Sequence, residues 1–358
     1  MTMMRRLDKL SLVPLLCWLI LLTTSAQADN LKEKKQNTAE ALQSLKRAIE
    51  YGKQGNKEGV EAECNKAVGK DPDSLAILLP AAKIFAFLGN HNRALELIDR
   101  SILLTKSKQT GNARLIAELY VNRGNVNHQA GRIQASIDDY KIAIEYDPFV
   151  GHRARAYVRT QQRNYKGAVE DYTEALKYKE DDELYRQRGT ARYTIREVDE
   201  AVKDFSRALQ LNPKNAGAYA RRGDARVRLK DYKGALDDFN RAIKLEPDNA
   251  ITYVGRAIAK AEMNDRKGAL EDFERSLKLD ENSSVYLCRS EYLAKWGDSS
   301  EALADLDKVV QARPEESAVY AERSKLKLMR GDFFGAQDDF AKSIGIQIQD
   351  QLKATPKY

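Results

Sequence analysis

Apolar and small residues recur along this chain at three- and four-residue spacing, in runs broken by short polar segments. That spacing gathers the apolar positions on one face of a helix. No stretch alternates with period two for long enough to build a strand. The runs come in pairs. In residues 216–249 the first run carries Tyr219 and Gly223, and the second Ala235, Leu236, Phe239, Ala242 and Ile243. A polar break from Leu229 to Lys233 separates them, and Pro247 stands just past the second run, where a helix cannot continue. Residues 182–215 repeat the design, with Tyr185, Gly189, Ala201, Phe205, Ala208 and Pro213 at the same offsets. The 34-residue unit recurs about nine times, which predicts an all-α solenoid of helix–turn–helix repeats.

Counted outward from the clearest copy, the repeats fall at 41–74, 75–108, 117–148, 149–181, 182–215, 216–249, 250–282, 283–316 and 317–350. A lead-in, 29–40, precedes them and a tail, 351–358, follows. The first two copies are divergent, and the first helix of 75–108 is almost wholly apolar and interrupted at Pro80. An insertion, 109–116, reads either as a longer helix or as a kinked joint between a two-repeat and a seven-repeat block. Gly124, Gly189 and Gly223 lie inside predicted helices, where glycine costs about 1 kcal/mol relative to alanine. Their counterparts Ala156, Ala257, Ser290 and Ser324 are also small, so the paired helix must approach too closely for a larger side chain.

These residues at these offsets resemble the tetratricopeptide repeat family, and the resemblance covers nearly all of the chain after residue 28. It implies right-handed superhelical stacking and a concave groove, lined by the first helices, that holds segments of other proteins. Carried onto this chain, the groove positions are Asn122, Asn125 and Gln129, then Arg153, Tyr157 and Gln161, then Arg186, Thr190 and Tyr193. Arg221, Asp224 and Arg228 come next, and Ile251, Val254, Ile258 and Leu287 follow. Asn125 matches one asparagine of the family's carboxylate clamp, but Val121 stands where that clamp needs a lysine, so the whole clamp is not present. The surface would pass from polar and basic to aliphatic, which suits an extended peptide with acidic and then apolar residues. The alternative is that these are solvated faces, with the aliphatic residues buried between repeats.

An arginine stands seventh in eight of the nine repeats: Arg47, Arg123, Arg155, Arg188, Arg222, Arg256, Arg289 and Arg323. Sixteen places after each lies an acid: Glu63, Asp139, Asp171, Asp204, Asp238, Asp272, Asp305 and Asp339. The repeat without the arginine has Ala81 there and Leu97 opposite. Read alone, the arginines could grip an anionic ligand. Their joint appearance and disappearance with the acids predicts instead that the two neutralise each other within a repeat.

Residues 1–28 have a different character. Arg5, Arg6 and Lys9 precede an apolar run from Leu10 to Leu22, and Ala26-Gln27-Ala28 forms a small-residue exit. This is the layout of a secretory signal peptide cleaved before Asp29. Its 13-residue apolar run is short of the ~20 residues a membrane-spanning helix needs, although an uncleaved anchor is the rival reading. Export to a bacterial periplasm or cell surface follows, with a eukaryotic secretory lumen as the alternative. The segment carries three basic residues and one acid, so its removal lowers the net charge from +7 to +5. The remaining charges are mixed, without the concentrated basic face of a nucleic-acid binder. Cys64 and Cys288 lie in distant repeats and are not expected to pair, and His91, His128 and His152 are too scattered for a zinc site.

The expected function is a non-enzymatic scaffold or assembly factor, without cofactor, metal or catalytic residues, that binds a partner protein or peptide. The alternative is a co-chaperone of a secretory compartment, holding unfolded clients. Ile346, Ile348 and Leu352 could cap the stack as one short helix; failing that, the last edge is a candidate contact for self-association.

Overall fold

The computed structural model describes residues 28–107 and 112–354. The basic and apolar segments of the expected signal peptide lie outside these residues, as do most of the insertion's first half and the last four residues. Eighteen helices and no strand occur among the described residues, and the chain divides into two compact units, 1–180 and 181–358.

The N-terminal unit holds four helix pairs: α1 (Ala28–Lys53) with α2 (Lys57–Lys70), α3 (Leu75–Phe87) with α4 (His91–Ser107), α5 (Ala113–Gln129) with α6 (Ile133–Tyr146), and α7 (Pro148–Gln161) with α8 (Tyr165–Tyr178). The C-terminal unit holds five: α9 (Asp182–Thr194) with α10 (Val198–Leu211), α11 (Ala216–Arg228) with α12 (Tyr232–Leu245), α13 (Ala250–Glu262) with α14 (Arg266–Leu279), α15 (Ser283–Trp296) with α16 (Ser299–Ala312), and α17 (Ser317–Met329) with α18 (Phe333–Ala354). Within each unit a helix packs on its hairpin partner and on the helix that follows.

One turn geometry joins the two helices of every repeat. After α11 the Asp231 N–H donates to the Arg226 carbonyl (2.9 Å) and the Lys230 N–H to the Val227 carbonyl (3.0 Å). This satisfies the last carbonyls of the helix and requires a left-handed residue between them. Asp231 then accepts from the Gly234 N–H (3.0 Å) and so caps α12. The left-handed residue is Gly55, Gly89, Gly131, Gly297 or Gly331 in five repeats, and Arg163, Arg196, Lys230 or Asn264 in four. None of the five glycines has a neighbour within 4 Å of where a Cβ would stand, so backbone angle alone selects them.

The core runs between the pairs. Tyr140, Tyr172, Phe205, Phe239, Phe273 and Leu306, at one repeat position, are all at most 1 % exposed. The Phe239 ring lies 2.8 Å from where a Cβ on Gly223 would stand and 2.6 Å from one on Gly255, which is the close approach the small residues predict.

Several boundaries differ from the sequence expectation. The lead-in belongs to α1, which begins at Ala28. The second half of the insertion belongs to α5, whose N-cap Asn112 accepts from the Arg114 N–H (3.0 Å). Pro80 does not interrupt α3: the helix continues through it, and Pro80 is buried. It stands sixth of thirteen residues, where its missing N–H removes a single helical bond. No separate capping helix forms from the last residues, because α18 runs unbroken for 22 residues. Ile346 is buried on it, while Ile348 and Leu352 are 51 % and 69 % exposed.

Candidate functional site

The arginine ladder is internal. Arg123, Arg155, Arg188, Arg222, Arg256, Arg289 and Arg323 each reach their aspartate at 2.5–2.7 Å through Nη2. Nε donates to the same carboxylate at 2.8–2.9 Å, a bidentate fork onto both oxygens in six of the seven, while in Arg123 both nitrogens meet Asp139 Oδ1. The seven aspartates are nearly inaccessible, and Arg47 meets Glu63 more loosely at 3.3 Å. Burial opposes the charge on Asp339, but the hydrogen bonds from Arg323 and Lys327 outweigh it and hold the carboxyl below its usual range. These guanidiniums are therefore committed to the fold and are not a row of ligand sites.

Sequence reasoning missed the second partner of each aspartate. Arg159, Arg192, Arg226, Lys260 and Lys327, eleventh in their repeats, sit 2.7–2.9 Å from the same carboxylates. In the third repeat Asn127 takes this place, donating to Asp139 at 2.9 Å. In the eighth the position is the buried Leu293, which leaves Asp305 paired with Arg289. The recurrence was visible as a second basic column four places after the first. The ladder also crosses repeats: Arg123 donates to Asp99 (2.8 Å), Arg222 to Ser206 (3.0 Å), Arg256 to Asn240 (2.7 Å) and Arg323 to Asp307 (2.7 Å).

Among the candidate groove residues, Asn122, Asn125 and Gln129 are brought together in the N-terminal unit. They line one wall of an open cleft of about 400 Å³ between α3 and α5. The other wall is Leu79, Ala82, Lys83, Ala86 and Phe87. Asn125 Oδ1 accepts from the hydroxyl of Tyr140 (2.6 Å), so its amide nitrogen is the group left to meet a ligand. Burial pushes the Tyr140 hydroxyl up to about 12, which keeps it a donor. Lys83 was not singled out from the sequence. Its signal is plain in retrospect, since it is the one charged residue of the otherwise apolar α3. The cleft thus offers an ammonium and three amides beside an apolar floor.

Arg153 and Tyr157 lie on the exposed face of α7, where the Arg153 guanidinium stacks 5.4 Å from the Phe149 ring centre and Tyr157 is 55 % exposed. In the C-terminal unit, Arg186 pairs with Glu183 one turn away. Arg228 and Tyr193 come together across neighbouring repeats, guanidinium over ring at 4.5 Å. Arg221 stands 3.5 Å from Asp224, whose carboxyl burial pushes up to about 6 against the pull of that arginine. Val254 and Ile258 do not form an open aliphatic wall. They are half-buried against Ala257, Phe273 and Tyr292, because the face of α13 that carries them is the one the neighbouring helices cover. Leu287 likewise packs against the core around Leu293, and only Ile251, at 78 %, stays open.

Other chemistry is sparse. Cys64 and Cys288 are free, and burial pushes their thiols up to about 12 and about 11, the opposite of an activated nucleophile. His152 is tied to the ladder through Asp171 (2.9 Å). No group of three or more His, Cys, Asp or Glu suited to a metal ion occurs among the described residues, and no described helix is long and apolar enough to cross a membrane.

The chain is 24 % identical over 190 residues to the mitochondrial import receptor subunit TOM70 of Rattus norvegicus, an alignment spanning 51 % of this chain and 25 % of that protein. It is 32 % identical over 91 residues to tetratricopeptide repeat protein 6 of Homo sapiens, covering 25 % of this chain and 18 % of the other. Among solved structures, a tetratricopeptide repeat protein from Parabacteroides merdae aligns at 17 % identity with a TM-score of 0.46, covering 86 % of this chain and 99 % of that one. PilF of Pseudomonas aeruginosa aligns at 19 % identity with a TM-score of 0.47, covering 55 % and 92 %. Family models of the tetratricopeptide repeat match residues 117–149 and 186–250, and the chain is accordingly an all-helical protein that carries tetratricopeptide repeats.

Proposed function

We propose that this chain is a non-enzymatic scaffold that binds an extended segment of a partner protein, and that its principal contact is the cleft between α3 and α5. The cleft carries the proposal because it combines Lys83 and the amides of Asn122, Asn125 and Gln129 with an apolar floor of Leu79, Ala82 and Phe87. A partner carboxylate would meet the ammonium and amides while an adjacent apolar side chain fills the floor. The complementary segment is therefore acidic and apolar in succession. The designation of the rat relative as an import receptor subunit accords with a protein-binding role, although the alignment spans a quarter of that protein. Export rests on the layout of residues 1–28 alone, and recovery of a mature chain beginning at Asp29 from a cell envelope or secreted fraction is its test.

The binding test is an array of immobilised ten-residue peptides probed with the purified chain and with Lys83→Glu and Asn125→Leu variants. Peptides with an acid next to a large apolar residue should be retained, and both variants should weaken that retention at least tenfold. Binding indifferent to peptide composition, or unchanged in both variants, would refute the assignment. Retention of any apolar peptide regardless of charge would favour the holdase reading.

A further inference from the structure

The last repeat breaks a rule that the others keep. Phe340 occupies the position at which six other repeats bury an aromatic or leucine to at most 1 % exposure, yet it is 57 % exposed. Around it on the same edge lie Phe333 (67 %), Phe334 (85 %), Ile344 (40 %), Ile348 (51 %) and Leu352 (69 %) on α18, with Leu328 (54 %) at the end of α17. At 100° per residue these α18 positions fall within an arc of about 120° that also includes the uncharged Gln337 and Gln351; Asp338 flanks that arc, and Asp339, Lys342, Asp350 and Lys353 lie farther round the helix. The face therefore carries no charge.

This is more than a repeat edge left uncovered. Repeat 216–249 has the exposed polar residues Lys233, Asn240 and Lys244 where the last repeat has Phe334, Ala341 and Gly345. Each of those changes removes what would keep such a face in water. The face also continues past the repeat: the second helices of the preceding six repeats are each 14 residues long, whereas α18 runs for 22 and adds Ile348 and Leu352 in line with Phe340 and Ile344. A Cβ on Gly345 would meet nothing within 4 Å, so a second helix has room to come close.

We infer that α18 pairs with the α18 of a second copy of this chain, antiparallel about a two-fold axis near Ala341 and Ile344. Three observations select this occupant. The open parts of the seven side chains amount to roughly 700 Å² per copy, taking about 200 Å² for a whole aromatic side chain. A symmetric pair would bury about 1,400 Å², inside the range of specific interfaces. An uncharged face has no opposite sign to seek in a partner, and an apolar stripe is complementary to itself when turned by 180°. Antiparallel pairing also opposes the two helix dipoles.

The test is multi-angle light scattering of the purified full chain across a concentration series from about 1 to 100 μM, which reaches the weak end of the affinities open to interfaces of this size. Two variants accompany it: Phe334→Lys with Ile348→Lys, and Gly345→Lys alone, with helix content checked by circular dichroism. Wild type should scatter at twice the chain mass, and both variants should move to the single-chain mass with helix content unchanged. Should the double variant lose helix content, Gly345→Lys decides, since it restores a residue that α12 carries as Lys244 and fills open space. A wild type that stays at single-chain mass to the top of the series, or a dimer that survives Gly345→Lys, would overturn the inference.

Discussion

Arg289 and Arg222 occupy the same repeat position and make the same forked bond, yet their removal should have different consequences. Asp238 receives Arg222 through Nε (2.9 Å) and Nη2 (2.6 Å), and also Arg226 through Nη1 (2.7 Å). In Arg222→Ala the buried carboxylate keeps one guanidinium, so the loss is that of charge-assisted hydrogen bonds, about 1.5–3 kcal/mol. Asp305 receives Arg289 at 2.8 and 2.7 Å, and the position that supplies a second cation elsewhere is Leu293. Arg289→Ala therefore orphans a buried charge, which costs about 3–5 kcal/mol. Repeat arrays do not unfold as one all-or-none unit. The measurement is accordingly hydrogen exchange resolved by helix, with urea unfolding alongside. Exchange should accelerate more over α15 and α16 in Arg289→Ala than over α11 and α12 in Arg222→Ala. The double variant Arg222→Ala with Arg226→Ala should close the gap. Equal losses in the two single variants, or the reverse order, would show that the second cation does not share the charge.

Two smaller effects follow from single residues. Asp224 has its pKa raised toward 6 by burial, so the folded state holds the proton more tightly than the unfolded one, and stability falls as pH rises from about 4 to about 6. Asp224→Asn should flatten that stretch of the profile and raise stability at pH 7 by on the order of 1–2 kcal/mol, since the side chain keeps partial contact with water; a melting profile that keeps its slope would exclude Asp224 as the source. Lys230 holds φ at 61° where five other repeats have glycine, so Lys230→Gly should stabilise by about 0.5–1 kcal/mol, the left-handed strain less the entropy glycine loses on folding. A decrease in urea midpoint would show that the lysine side chain compensates its own strain.

The repeats were legible because each depends on a local pattern: Phe239 and Gly223 at fixed offsets, and a proline past the helix end. The ion ladder was legible for a different reason, since Arg and Asp vanish together in the second repeat. Features that depend on what a neighbouring repeat covers were hidden. Val254 and Ile258 look like an aliphatic surface in one dimension, and only the packing against Phe273 and Tyr292 turns them inward. Asn122 and Asn125 stand out as candidates in the sequence, but Lys83 lies about 40 residues away in a stretch that reads as core, and only the cleft brings the three together. The left-handed turn could have been read from the glycine column, but four repeats conceal it behind Arg163, Arg196, Lys230 and Asn264.

The gap in the ladder at Ala81 and Leu97 has a thermal consequence. Six repeats tie their two helices with short-range Arg–Asp forks that involve at least two partners for the acid, whereas α3 and α4 meet there through the buried Ala81 and Leu97. Apolar attraction weakens on cooling, and charge-assisted hydrogen bonds do not share that dependence. Near freezing, then, the second repeat should be the first to loosen, and it contributes one wall of the cleft. A partner held there would be released by cold well before the rest of the array responds.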